Sequence, residues 1–147
     1  MDDFSIRNNE LYCEQVPVAR LAKRFGTPLY VYSLHTLVSH YRKIETAFAE
    51  LNPLICYSVK ANSNLSLLAE LGRRGAGMDI VSGGELARVR AVGIPGSRIV
   101  YAGVGKGPDE IAAALKAGIL MFNVESEPEL RRLNRVAGRL RRTALVA

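Results

Sequence analysis

A lysine closes an apolar run in Cys56-Tyr57-Ser58-Val59-Lys60-Ala61-Asn62. If that run is a strand of a barrel, its carboxyl end faces the mouth, where active sites of such barrels are built. Partial burial or neighbouring cations lower a lysine pKa, and the neutral amine can then form an imine with an aldehyde. The plainer alternative is a lysine snorkelling from a strand end into water. Asp79 weighs against it, because this carboxylate lies inside Met78-Asp79-Ile80-Val81, where an ionised group is costly without a partner. Lys60, one strand earlier, is the natural partner, in a catalytic site or in a structural ion pair. Ser82-Gly83-Gly84-Glu85 follows directly. Its Ser-x-x-Glu spacing is that of a capping box and its glycines permit a tight strand-to-helix turn, while Glu85 could equally face the mouth.

Other groups carry less. Gly103-Val104-Gly105-Lys106-Gly107 precedes a helix but has neither spacing of the nucleotide-binding glycine motifs, so a flexible loop at the barrel top is expected. Tyr57, Tyr101 and Asn123 fall near strand ends, where packing or hydrogen bonding is the ordinary use. His35 and His40 lie on an amphipathic stretch, outside any ligand spacing. Cys13 and Cys56 are far apart and read as free thiols, so no metal site is expected.

The elements that must position these residues alternate regularly. A short helix at about Pro17–Phe25, a strand Leu29–Tyr32 and a helix carrying Leu34, Leu37, Tyr41, Ile44, Phe48 and Leu51 come first. Strands are then expected at Leu54–Val59, Met78–Val81, Ile99–Ala102, Leu120–Val124 and Thr143–Ala147. Helices near Leu65–Arg73, Gly84–Ala91 and Pro108–Ala117 separate them, and Ser126-x-x-Glu129 opens the last helix with a capping box. Such alternation predicts an α/β fold with parallel strands. About five strands are too few to close an eight-stranded barrel. The expectation is therefore a partial (β/α)8 barrel, cut short and inactive by itself.

Composition agrees with a globular domain: 147 residues, 48% of them hydrophobic and 23% charged. The net charge of +6 is concentrated where Arg131, Arg132, Arg135, Arg139, Arg141 and Arg142 crowd one helix, with Leu130, Leu133, Ala137 and Leu140 on its apolar stripe. A solvated helix face is expected there rather than a nucleic-acid surface. The start Met1-Asp2-Asp3 lacks a leader pattern and no run is long enough to span a bilayer, so no membrane association and a cytoplasmic address are expected.

Four blocks, taken in order, resemble a known family: Gly26-Thr27-Pro28-Leu29-Tyr30-Val31-Tyr32, Tyr57 to Asn62, Met78 to Leu86, and Phe122-Asn123-Val124-Glu125-Ser126. They are similar to successive blocks of the fold-type III pyridoxal-phosphate-dependent decarboxylases, whose barrel is of the alanine racemase type. The first and third blocks look like those of the branch acting on diaminopimelate. The resemblance implies that Lys60 bears pyridoxal phosphate as an imine, that Asp79 and Glu85 lie in the cofactor pocket, and that meso-diaminopimelate is decarboxylated to L-lysine. It also implies a homodimer with shared active sites, a small amino-acid substrate, residues 1–33 as a lead-in that joins a carboxyl-terminal β-domain, and residues 34–147 as the first part of the barrel. By the resemblance, the family's glycine-rich phosphate site, pyridine-nitrogen partner, substrate arginine and carboxyl-terminal β-domain are expected beyond residue 147. Tyr101-Ala102-Gly103-Val104-Gly105-Lys106 replaces a Gly-Asn-Asn-Lys version common in relatives. Rival readings are an ornithine, arginine or carboxynorspermidine decarboxylase on the same scaffold, or a non-catalytic pyridoxal-phosphate-binding barrel.

Overall fold

The computed structural model describes residues 3–147. Met1 and Asp2, on which the expected leader-free start depends, lie outside the described residues. The chain divides into two units, one ending at Pro53 and one spanning Leu54–Ala147.

The first unit begins with an antiparallel meander that the sequence reading did not anticipate: β1 (Phe4–Arg7), β2 (Glu10–Cys13) and β3 (Val16–Pro17). Arg7 pairs with Glu10, so Asn8 and Asn9 form a two-residue loop. Both sit at positive φ, 48° and 63°, the geometry that tight hairpins need and that asparagine tolerates. Helix α1 (Val18–Phe25) follows Pro17 directly, and Gly26 ends it at φ 81°. Helix α2 (Leu34–Ala47) is capped by Ser33, whose Oγ accepts from Thr36 N. Asp3 ties the meander to this helix start: its Oδ2 accepts from Thr36 Oγ1 at 2.7 Å and lies 2.9 Å from His35 Nδ1. Residues Leu29–Tyr32, expected as a strand, belong to no ladder, and Tyr30 is 85% exposed. Their apolar composition suits a strand, but a strand exists only where a neighbour supplies hydrogen bonds.

The second unit is built of consecutive βα units. Strands β4 (Cys56–Ser58), β5 (Gly77–Ile80), β6 (Ile99–Tyr101) and β7 (Met121–Phe122) are parallel and lie side by side in chain order. Helices α3 (Leu65–Arg73), α4 (Gly83–Ala91), α5 (Pro108–Ala117) and α6 (Glu127–Leu140) follow each in turn. Sequential order without reversal is the topology of a (β/α)8 barrel wall; doubly wound sheets reverse direction at a switch point. The expected fifth strand is a single parallel bridge between Phe122 and Val146.

Alternation along the strands sorts the residues onto two faces. Met78, Ile80, Ile99, Tyr101 and Phe122 are buried, and so are Leu68, Leu71, Leu86, Val89, Ile111 and Leu115 of the covering helices. The opposite face carries Ser58, Asp79, Val100 and Met121 in one register row, all half-buried. In a closed barrel that row points inward. Two residues below that row, Gly77 keeps the strands close, since a Cβ there would come 2.7 Å from Cys56 Sγ and 2.8 Å from the Arg98 carbonyl.

Candidate functional site

The carboxyl ends of β4 and β5 bring the expected residues to one rim. Strand β4 stops at Ser58, and a 3-10 turn over Val59–Ala61 follows, in which Val59 is fully buried and Lys60 is exposed. Ser58 is the register partner of Asp79 on the adjoining strand, so Lys60 emerges two residues beyond the level of Asp79. The expected buried ion pair between them is not formed. Among the described residues the ion pairs involve other side chains, because the turn buries Val59 in the core and sends Lys60 outward past the sheet end. Lys60 is thus left with an uncommitted amine.

Asp79 has one committed oxygen and one idle one. Its Oδ2 accepts from Ser58 Oγ at 3.2 Å, whereas Oδ1 is buried without a hydrogen-bond partner. A buried acceptor left unmade costs about 1–3 kcal/mol, so a donor is expected to fill it. An idle carboxylate oxygen and a free amine on adjacent strand ends suit a ligand with an aldehyde and a hydrogen-bond donor, and pyridoxal phosphate fits that description. Burial first, and then the Asp79 charge, push the nearby Cys56 thiol up, which keeps it an inert neighbour.

Glu85 occupies the third position of α4. Its backbone N–H donates to Ser82 Oγ at 3.2 Å and its Oε2 accepts from Val81 N at 2.7 Å. The capping role read from the sequence is present, with the return bond shifted one residue upstream.

The Gly103–Gly107 segment departs most from expectation. The composition predicts a flexible loop, yet Lys106 is 1% exposed. Its Nζ donates to the carbonyls of Gly103 (2.6 Å) and Asn123 (2.7 Å) and pairs with Glu129 Oε1 at 2.7 Å. Three donors meet three acceptors, so this ammonium is spent on structure. Tyr101 packs beneath it and stacks on Phe122 with centroids 5.9 Å apart. Burial, then the neighbouring Glu110 carboxylate, raises the Tyr101 phenol well above its ordinary value and keeps it neutral. Asn123 enters through its backbone carbonyl, and among the described residues no group of three or more His, Cys, Asp or Glu is disposed to hold a metal. No helix among them is long and apolar enough to cross a membrane.

The pattern of the pyridoxal-dependent decarboxylases, pyridoxal binding domain, matches residues 34–146. A diaminopimelate decarboxylase of Neisseria meningitidis is 55% identical over 93% of the chain and 34% of its own length. One from Vibrio cholerae is 53% identical over 95% of the chain and 34% of its length. Among solved structures, the diaminopimelate decarboxylase of M. jannaschii in co-complex with L-lysine superposes with a TM-score of 0.93 at 35% identity, covering 99% of the chain and 35% of the solved one. The chain therefore spans about a third of the length of the curated relatives it matches.

Proposed function

This chain belongs to the family of pyridoxal-dependent decarboxylases, and on that premise we propose that it forms the cofactor-bearing part of an enzyme that converts meso-diaminopimelate to L-lysine. The observation that carries the reading is the contrast between the two rim lysines: Lys60 is exposed and uncommitted, whereas Lys106 is buried with every donor used. Lys60 would bear pyridoxal phosphate covalently, and Asp79 Oδ1 would accept a hydrogen bond from cofactor or substrate. When bound, the cofactor supplies an electron sink for the carbon that loses carbon dioxide. Ser58 would orient the Asp79 carboxylate, on the strand next to the one that leads into Lys60. Glu85 closes the β5–α4 turn on the pocket's flank.

In this reading residues 1–33 lead in from a β-domain and residues 34–147 contribute the first part of the barrel, in a cytoplasmic homodimer with shared active sites. The choice of meso-diaminopimelate over ornithine or arginine rests on what the similar proteins are called. The test is carbon dioxide release by the full-length protein from meso-diaminopimelate, ornithine and arginine in parallel. Turnover with meso-diaminopimelate at least a hundredfold above the others is expected (about 3 kcal/mol of discrimination). Preference for ornithine or arginine refutes the substrate, and no turnover with any of the three refutes the activity.

A further inference from the structure

The turn that joins the two acids of the proposed pocket is gripped by a residue outside that pocket. Residues Val81 to Glu85 connect β5 to α4, and two of the turn's bonds are local: Glu85 Oε2 with Val81 N, and Ser82 Oγ with Glu85 N. The third comes from the next βα unit. Gly83 N donates to Glu110 Oε1 at 2.6 Å, across 27 residues of sequence. The other oxygen, Glu110 Oε2, accepts from Gly107 N at 2.9 Å. Gly107 is the N-cap of α5 and has no side chain to offer. One carboxylate thus closes the start of its own helix and holds the start of the preceding one.

Gly83 is shaped to this contact. Its backbone is not among those at positive φ, so the turn itself does not demand glycine. A Cβ at 83 would lie 3.1 Å from both Cγ and Oε1 of Glu110, so a methyl group there would push that side chain back by a few tenths of an ångström. The two N–H donors, Gly107 first and then Gly83, hold the Glu110 carboxyl below its usual range. One unit on, Glu129 also bridges two units by different groups: Oε2 accepts from Glu125 N at 3.2 Å and Oε1 takes Lys106 Nζ at 2.7 Å.

We propose that Glu110 is a positioning residue for the strand-end site, fixing the Val81–Glu85 turn and, through it, the placement of Asp79 and Glu85 toward the cofactor. The proposal rests on the assignment of those two acids to the pocket. A purely structural cap would affect stability alone, whereas a positioning residue also changes how the cofactor is held.

The experiment compares Glu110→Gln, Gly83→Ala and the control Glu127→Gln in the full-length protein. Glutamine keeps the shape but turns one acceptor into a donor. Glu127 is a first-turn glutamate of α6, exposed and, among the described residues, paired with Arg131. In cofactor-free protein, amide exchange across 81–85 should accelerate in Glu110→Gln and stay at the parent rate in Glu127→Gln. Pyridoxal phosphate should bind Glu110→Gln about tenfold more weakly, the effect of one lost charge-assisted hydrogen bond. The pH midpoint of the visible absorbance of the loaded protein should also shift. Combined with Asp79→Asn, the loss should be less than additive. A lowered Tm with cofactor affinity and absorbance midpoint at parent values overturns the proposal. If Glu110→Gln does not fold, Gly83→Ala, which displaces the carboxylate without removing it, reads the same quantities, and parent-like values there overturn it too. Failure of the pocket assignment looks different: Asp79→Asn and Glu85→Gln would then leave cofactor affinity unchanged by themselves, and the proposal would fall with it.

Discussion

Replacing Lys106 with methionine keeps the length of the side chain and removes its charge and all three donors. The Gly103 and Asn123 carbonyls and Glu129 Oε1 would each lose a partner at 2.6–2.7 Å. Glu129 is only 4% exposed, so water cannot readily replace the ammonium. Breaking a buried pair from one side costs about 3–5 kcal/mol, most of it the stranded charge. The melting temperature of the full-length protein should fall with it. Adding Glu129→Gln removes the stranded charge and retains an acceptor for Glu125 N, so the double variant should recover part of the loss instead of adding to it. Urea denaturation and thermal melting of parent, single and double variants of the full-length protein measure the two quantities. A Lys106→Met cost below about 1 kcal/mol, the level of a surface pair, or strictly additive losses, would refute the view that this lysine is buried and spent.

Asp79→Asn should weaken cofactor binding about tenfold or more, since a charged acceptor becomes neutral and half of it a donor; spectrophotometric titration with pyridoxal phosphate checks this, and parent-like affinity counts against the pocket. Gly96→Ala should cost about 1–3 kcal/mol, because its Cβ would run into the Ala117 and Gly118 carbonyls, which are backbone and cannot swing away; an unchanged urea midpoint contradicts that packing. Asp3 is held down to about 2, by the Thr36 hydroxyl first and His35 next, against an ordinary 3.8. A depressed acid contributes stability above its unfolded value and loses it as the pH falls toward the folded one. The Asp3→Asn variant should therefore loosen the meander, read by hydrogen exchange, at neutral pH and differ little from the parent near pH 2; an equal difference at both pH values refutes the linkage.

Local signals carried the reading of the βα units well. Ser126-x-x-Glu129 and Pro108-Asp109-Glu110 mark helix starts by chemistry contained within one turn, and α3 and α5 begin and end where the apolar period and caps place them. The strands came out shorter than their apolar runs, because the ladder stops where neighbouring strands stop. Lys60 and Asp79 were visible as exceptions in apolar strands, but the pairing inferred between them was not, since the 3-10 turn that redirects Lys60 leaves no mark in composition. Lys106 was missed for a related reason: its partners Asn123 and Glu129 lie 17 and 23 residues away, and no local window contains them. A usable clue was present in the glutamate that recurs at the third position of α4, α5 and α6. The meander was missed as well, although Asn8-Asn9 is a turn pair set between two short strand-like segments.

The central claim is that Lys60, and no other lysine of this chain, bears the cofactor. Borohydride reduction of the pyridoxal-phosphate-loaded, full-length protein, followed by peptide mapping, tests it most directly. The pyridoxyl group should be found on Lys60. Finding it on Lys106 or Lys116, or on no residue of this chain, would contradict the account.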